Sequence, residues 1–451
     1  MVTCGDAPQG RGCRPRVARV ASVVNGVSQR RVSRPGRFAP LLVAVACAVS
    51  FAGSALAQLA LGLPIGDLDV YRAEGWAVRD GSDLYDLAVS AHALQATYPP
   101  FAALFFVPLT LLSVEAMRAA VLLLNLGLVL VLARLSLRLA GLRPPGHWRW
   151  AAPLAVAAVA VWCEPVWATI RYGQINLLLV VLVLWDLTRP APHRPAGFAI
   201  GIAAGIKLTP AIFAVLLTVA GIIMLVRRRE NGFLLIATRA WAAFAGTVLL
   251  GALVLPEASR RYWTELVLAE DRVGAAEAAA NQSLRGTLAR FLHTGDLPPW
   301  WLPVAAGVCC AGLAVAVAAL LAGERAWAVI GCATTALLVS PVSWSHHWVW
   351  AVPAVVLLGA EATRRRSRPW WAATWAAVLL FCSYVSWLLP HDASRPELDL
   401  SPGQQFLAAG YPLAGLVLLA VTGTLSRAAL TAPPGNRAAA AAVPRAGNSA
   451  R

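Results

Sequence analysis

Apolar runs long enough to cross a bilayer alternate along this chain with short polar segments, most of them carrying arginine. A hydrocarbon core about 30 Å thick calls for roughly 20 apolar residues in a helix that satisfies its own backbone. The first run, Pro40 to Leu63, meets that length. It exceeds the roughly 7–15 residues of a signal-peptide core. An uncleaved first span with its N-terminus inside is therefore expected, although Ser54-Ala55-Leu56-Ala57 resembles a cleavage site. The polar stretch Gly66–Pro100 follows and reads as an outer loop. Phe101 to Leu112 is too short to span and is expected to be re-entrant or interfacial. Ala116 to Leu135, Ala151 to Ile170 and Leu177 to Leu187 then cross in turn.

Gly197 to Val226 lies between two basic segments of the same sidedness, so it must cross an even number of times. About 30 residues are too few for two full spans. A pair of short or broken helices is expected, with the break at Gly205-Ile206-Lys207-Leu208-Thr209-Pro210. Irregular backbone at that depth is tolerated where it lines a cavity. Leu234 to Leu255 crosses again, and Pro256 to Pro299 forms a long outer segment. Further spans fall near 301–322, 327–343, 348–360, Trp371–Leu389 and Phe406–Leu425. The reading is a polytopic, all-α transmembrane bundle over 39–426, with about ten to thirteen crossings. Residues 1–38, rich in arginine, and 427–451 are expected to be disordered cytoplasmic tails.

Composition agrees. The chain is 59% hydrophobic and only 13% charged, against about 25% charged in soluble domains. Its formal net charge of +16 sits in clusters between the apolar runs, as the positive-inside rule requires, and gives no nucleic-acid surface. The eight cysteines include no CxxC pair, and most lie in apolar runs; they read as small buried hydrophobes, with neither a metal site nor a disulfide framework.

Counting the spans through puts the basic clusters on one side and the segments holding Asp67, Gln174, Lys207, Asn281 and His346-His347 on the other. Asp67 opens the acidic stretch at a membrane surface and is a candidate general base; the plainer alternative is a solvated loop kept outside by its acids. Lys207, the sole lysine, is a candidate point charge for a lipid phosphate, or else a snorkelling anchor. Arg171 has the same two readings. Adjacent His346 and His347 stand about 100° apart on a helix, so they rarely chelate one ion together. Hydrogen bonding to phosphate or sugar suits them better, with packing beside Trp344, Trp348 and Trp350 as the alternative. Asn281-Gln282-Ser283 is formally a glycosylation sequon, and its amides suit sugar hydroxyls equally well. No Walker motif, dinucleotide fingerprint, HExxH or serine elbow is present.

These blocks resemble a known family. D-L-D-V-Y-R-A-E-G at 67–75, G-S-D-L-Y at 81–85, Y-P-P-F at 98–101, R-Y-G-Q-I-N at 171–176, G-I-K-L-T-P at 205–210, N-Q-S-L-R-G at 281–286 and S-P-V-S-W-S-H-H at 340–347 occur in this order. Together they resemble the bacterial polyprenol-phosphate-mannose-dependent α-mannosyltransferases (glycosyltransferase family 87), which elongate phosphatidylinositol mannosides, lipomannan and related mannans. The resemblance implies a GT-C type fold in the inner (plasma) membrane, with the active site facing the periplasm. It implies Asp67 as the base, with Asp69 the second choice. Lys207, Arg171, His346 and His347, with Gln174, Asn176, Tyr71, Tyr98, Asn281 and Gln282, are expected to bind the donor's phosphate or sugar. The implied partners are membrane lipids, polyprenyl-phosphate mannose or its arabinofuranose analogue, and a glycolipid acceptor; no nucleic acid is expected. A phosphate ester already leaves well, so one carboxylate suffices for an inverting transfer, with no metal, nucleotide or other cofactor. A lipid transporter or flippase is the main rival, since broken helices are common there, but no inverted repeat is evident. A structural scaffold would need neither Asp67 nor Lys207.

Overall fold

The computed structural model describes residues 38–62, 66–87, 89, 94–189, 195–229, 232–269, 272, 274–392 and 394–431. The chain enters α1 (Ala39–Ala60), α2 (Gly66–Asp80), α3 (Pro100–Phe106) and α4 (Val114–Leu139). It continues through α5 (Trp148–Ala160), α6 (Glu164–Tyr172), α7 (Asn176–Thr188), α8 (Phe198–Ile206) and α9 (Ala211–Val226). Next come α10 (Phe233–Val254), α11 (Pro256–Arg261), α12 (Leu284–Phe291), α13 (Trp301–Leu321) and α14 (Arg325–Val339). The last are α15 (Ala351–Arg365), α16 (Arg368–Cys382), α17 (Pro402–Ala408) and α18 (Gly410–Thr431). Extended pairing among the described residues amounts to two isolated bridges, Val89 with Leu94 and Asn281 with Trp344. The all-α class expected from the apolar runs is therefore what forms. The expected N-terminal tail lies outside the described residues but for Phe38; of the C-terminal one, the part up to Thr431 is helix and the rest lies outside.

The helices are less regular than the apolar runs suggest. Among the described residues, five helices are long and apolar enough to cross alone, namely α1, α4, α10, α13 and α18. Counting α5 and α6 as one span makes six, and α7, α9 and α14 are shorter apolar helices. Several runs that looked like single spans are broken. Ala151–Ile170 bends by 77° between α5 and α6. Pro165 sits in the first turn of α6, where no backbone N–H is needed, so the chain restarts there at a new angle.

A second difference concerns Gly66–Pro100. Its first half is the helix α2. Asp67 and Asp69 occupy the first turn and Arg79 the last, which suits the helix dipole. Leu68, Tyr71 and Gly75 bury one face, and the Tyr71 ring stacks on Phe106 of α3 at 4.3 Å. Such packing, more than local preference, stabilises so short a helix.

The break between α8 and α9 forms where the glycine and proline place it. Lys207 ends α8 in extended conformation (φ −148°, ψ 132°). The Asp186 carboxylate caps the other end of α8, accepting from the Gly197 and Ile200 N–H groups at 3.0 Å each. Gly205 lets α8 close on α10, because a Cβ there would overlap the Thr247 side chain. Gly205→Val is expected to push the helices apart, cost about 1–3 kcal/mol and displace Lys207. Thermal unfolding in detergent checks the stability loss, and transferase assay checks the displacement.

Candidate active site

Three chain breaks meet at one end of the bundle. α6 closes with Gly173 in the left-handed conformation (φ 69°), and the Gln174 N–H bonds the Thr169 carbonyl at 2.9 Å. That tight turn leads straight into α7 and leaves Gln174 and Asn176 buried at the junction. The 207–210 break supplies Lys207. A 3₁₀ turn, Ser345–Trp350, supplies His346 and His347.

The side chains form a continuous network. The Gln174 carbonyl Oε1 accepts from the Tyr71 hydroxyl at 2.9 Å, the Tyr98 hydroxyl at 3.2 Å and the Asn176 amide at 3.4 Å. The two tyrosine hydroxyls are 3.0 Å apart. Lys207 Nζ donates to Tyr98 Oη at 3.4 Å and Asn176 Oδ1 at 3.2 Å, and lies 2.9 Å from His347 Nε2. Half-buried Asp67 joins through Gln174. Burial pushes its carboxyl above the usual range, while a hydrogen bond with Gln174 and the charge of Lys207 pull it partly back. Glu74 lies two turns further along α2 and is buried; burial pushes its carboxyl up to about 8, so at neutral pH it adds little negative charge.

Asp67, Tyr71, Tyr98, Gln174, Asn176, Lys207 and His347 are thus brought together from five separate segments. Asp69 takes no part in the network; it stands about 200° around α2 from Asp67. The His346 ring packs on Tyr172 and His347, and its Nε2 is buried without a hydrogen-bond partner. Arg171 Nη1 is likewise buried and unpartnered, outside the network.

Asn281 and Gln282 behave differently from the sugar-binding expectation. Both are buried with their amides engaged by the fold. Asn281 Oδ1 accepts from the Ser343 N–H at 3.0 Å and Nδ2 donates to the Ala276 carbonyl at 2.8 Å. Gln282 Nε2 donates to the carbonyls of Ala279 and Ala408 at 2.8 and 2.9 Å. They tie the 276–283 segment to the strand-like approach to His346, so here they act as braces.

Sequence reasoning gave Glu164 no role, yet it anchors the start of the histidine segment. Fully buried, it accepts from Ser345 Oγ at 2.6 Å, Trp387 Nε1 at 2.8 Å and Tyr411 Oη at 2.9 Å. Its partners lie about 180 to 250 positions away, so no local pattern signals them. Glu164→Leu is expected to cost about 3 kcal/mol, since three buried donors lose their acceptor, and to lower the midpoint of thermal unfolding.

Next to the network opens a small cleft. Its lining joins the polar Asn176, Lys207, Thr209, Ser340 and His347 to apolar side chains that include Leu179, Val183, Phe213, Leu337 and Trp350. A lining with one basic side chain among mostly apolar ones suits an amphiphile with an anionic head. Among the described residues, no group of three or more His, Cys, Asp or Glu side chains is placed to hold a metal.

The chain is similar to known proteins over most of its length. Residues 96–341 match glycosyltransferase family 87. A polyprenol-phosphate-mannose-dependent alpha-(1-2)-phosphatidylinositol mannoside mannosyltransferase of Mycobacterium tuberculosis is 37% identical over 319 residues, covering 67% of this chain and 71% of that protein. The protein of the same description from Mycolicibacterium smegmatis is 34% identical, covering 80% and 84%. A pentamannoside mannosyltransferase of Mycobacterium tuberculosis, with the same donor dependence, is also 34% identical, covering 80% and 81%. A crystal structure of ArnT from Cupriavidus metallidurans bound to undecaprenyl phosphate is similar over 86% of this chain and 78% of that one, with a TM-score of 0.41 and 16% identity. On the family match and the extent of identity with its curated relatives, the chain belongs to glycosyltransferase family 87 and is a multi-pass membrane glycosyltransferase.

Proposed function

We propose that this enzyme moves a mannosyl residue from polyprenyl-phosphate mannose to a hydroxyl of a phosphatidylinositol-mannoside-type glycolipid. Transfer takes place on the extracytoplasmic face, with both termini inside, and inverts the anomeric configuration. The observation that carries this reading is the network running from Asp67 to Lys207, whose Asn176, Lys207 and His347 line a largely apolar cleft. The names of the relatives supply donor and acceptor class, and the basic clusters on the opposite side supply the orientation.

In this mechanism Asp67 takes the proton from the acceptor hydroxyl as its oxygen attacks the anomeric carbon from the face opposite the phosphate. The carbon–oxygen bond to phosphate breaks, and the electron pair leaves with polyprenyl phosphate. The Lys207 ammonium and the His347 ring receive that anion, while the apolar walls hold the first isoprene units. The donor carries its own leaving group, so the reaction is written without nucleotide or metal.

Membranes containing the full chain, given labelled polyprenyl-phosphate mannose and a mannosylated phosphatidylinositol acceptor, are expected to form an α-linked product. A parallel arm with polyprenyl-phosphate arabinose is expected to give none. Transfer from the arabinose donor alone would move the enzyme to that sugar, and transfer from neither would sink the proposal.

The electrostatics add a pH test. A base works only when deprotonated, so a raised carboxyl places the acid limb of the rate profile above that of an exposed aspartate. Gln174 opposes the shift. Gln174→Leu is expected to move the acid limb to still higher pH, read from initial rates across a pH series at saturating donor.

A further inference from the structure

Cys163 and Cys382 are 219 positions apart, yet their sulfur atoms lie 3.4 Å from each other. Cys163 is buried in the bend between α5 and α6, and Cys382 closes α16 half-exposed. Two other contacts hold the same segments in register: the Tyr384 hydroxyl donates to the Trp162 carbonyl at 3.0 Å, and Trp387 Nε1 to Glu164 Oε1 at 2.8 Å. The thiols are therefore apposed by their backbones. Cys47, Cys309, Cys310 and Cys332 sit instead within the apolar helices α1, α13 and α14.

We propose that Cys163 and Cys382 form a disulfide in the cell, stapling the α5–α6 bend to the end of α16. This rests on the extracytoplasmic placement proposed above. Glu164, next to Cys163, is bonded to Ser345, next to His346, so the pair lies at the same end as the active site. Thiols exposed on that side meet an oxidising compartment. The sulfurs need to approach by little more than 1 Å to reach the covalent length of about 2.05 Å.

The chemistry balances with a thiol–disulfide oxidoreductase as oxidant. The half-exposed Cys382 thiol loses its proton and attacks the oxidoreductase disulfide, forming a mixed disulfide and releasing one thiolate. Cys163, deprotonated in turn, attacks the Cys382 sulfur and expels the second thiolate. Two electrons and two protons pass to the oxidoreductase, which leaves as a dithiol. The bond formed would hold Glu164, and through it the histidine segment, in place.

The test uses full-length protein in native membranes. Free thiols are blocked with N-ethylmaleimide under denaturing conditions, and the protein is digested without reductant for mass spectrometry. A peptide linked through 163 and 382, lost on reduction, is expected, with Cys332 recovered alkylated. Oxidised protein is expected to keep transferase activity after heating that inactivates the reduced form. Cys382→Ser, or Cys163→Ser should the first fold poorly, is expected to retain basal transfer and lose that difference. Both cysteines alkylated in membranes, and still alkylated after purified protein meets oxidised glutathione, would overturn the pairing. Linkage by glutathione but not in membranes would overturn the cellular disulfide through the placement of this end, while the donor assay above reads the transfer chemistry independently.

Discussion

Asp67→Asn is expected to lower mannosyl transfer by about 10²–10⁴-fold, the usual contribution of a positioned base. The amide keeps the size of the carboxylate but accepts no proton. Asp67 meets the network through Gln174 and lies apart from the residues lining the cleft, so donor KM is expected to change little while kcat falls. Initial rates at matched expression, over a donor series, separate the two. Asp69→Asn is the control, because Asp69 points away from Gln174 and Lys207 around the helix; it is expected to stay near wild type. Loss in Asp69→Asn with activity kept in Asp67→Asn would move the base by one helical face and leave the fold unaffected.

Removing Lys207 is expected to be nearly as severe. Its ammonium is the basic group of the network, held among Tyr98, Asn176 and His347 at 2.9 to 3.4 Å. Negative charge grows on the departing phosphate as the transition state forms, and a donor fixed there is commonly worth about 10²–10³-fold in kcat. Lys207→Ala should show that loss together with a higher donor KM. It should also raise the acid limb of the rate profile, because the charge that favours ionised Asp67 is gone. Lys207→Arg is expected to recover only part of the activity, since a planar fork does not fit three partners arranged around a point charge. A Lys207→Ala enzyme within twofold of wild type would separate the network from the leaving group.

How far the site could be read without coordinates depends on the kind of signal each residue carries. Lys207 was legible because a sole lysine flanked by Gly205 and Pro210 is costly in an apolar run, and the helix breaks there. Asp67 and the two histidines stood out as polar groups at apolar boundaries. Asn281 and Gln282 carried the same polar signal and yet serve the backbone, because an amide satisfies a carbonyl as readily as a sugar hydroxyl. Glu164 was visible as a carboxylate near a helix start, but its three donors come from distant parts of the chain.

Sequence alone determined the membrane class, the helical content and the position of the 207–210 break. Each follows from local physics: apolar length, backbone satisfaction and helix-breaking residues. Tertiary structure decided that Gly66–Asp80 is a helix, that several runs bend or stop short of a full span, and which polar groups touch. Those outcomes depend on packing between segments far apart in the chain, such as Tyr71 on Phe106 and Gln174 between two tyrosines. A side chain's neighbours are set by that packing, and no periodicity along the chain encodes them.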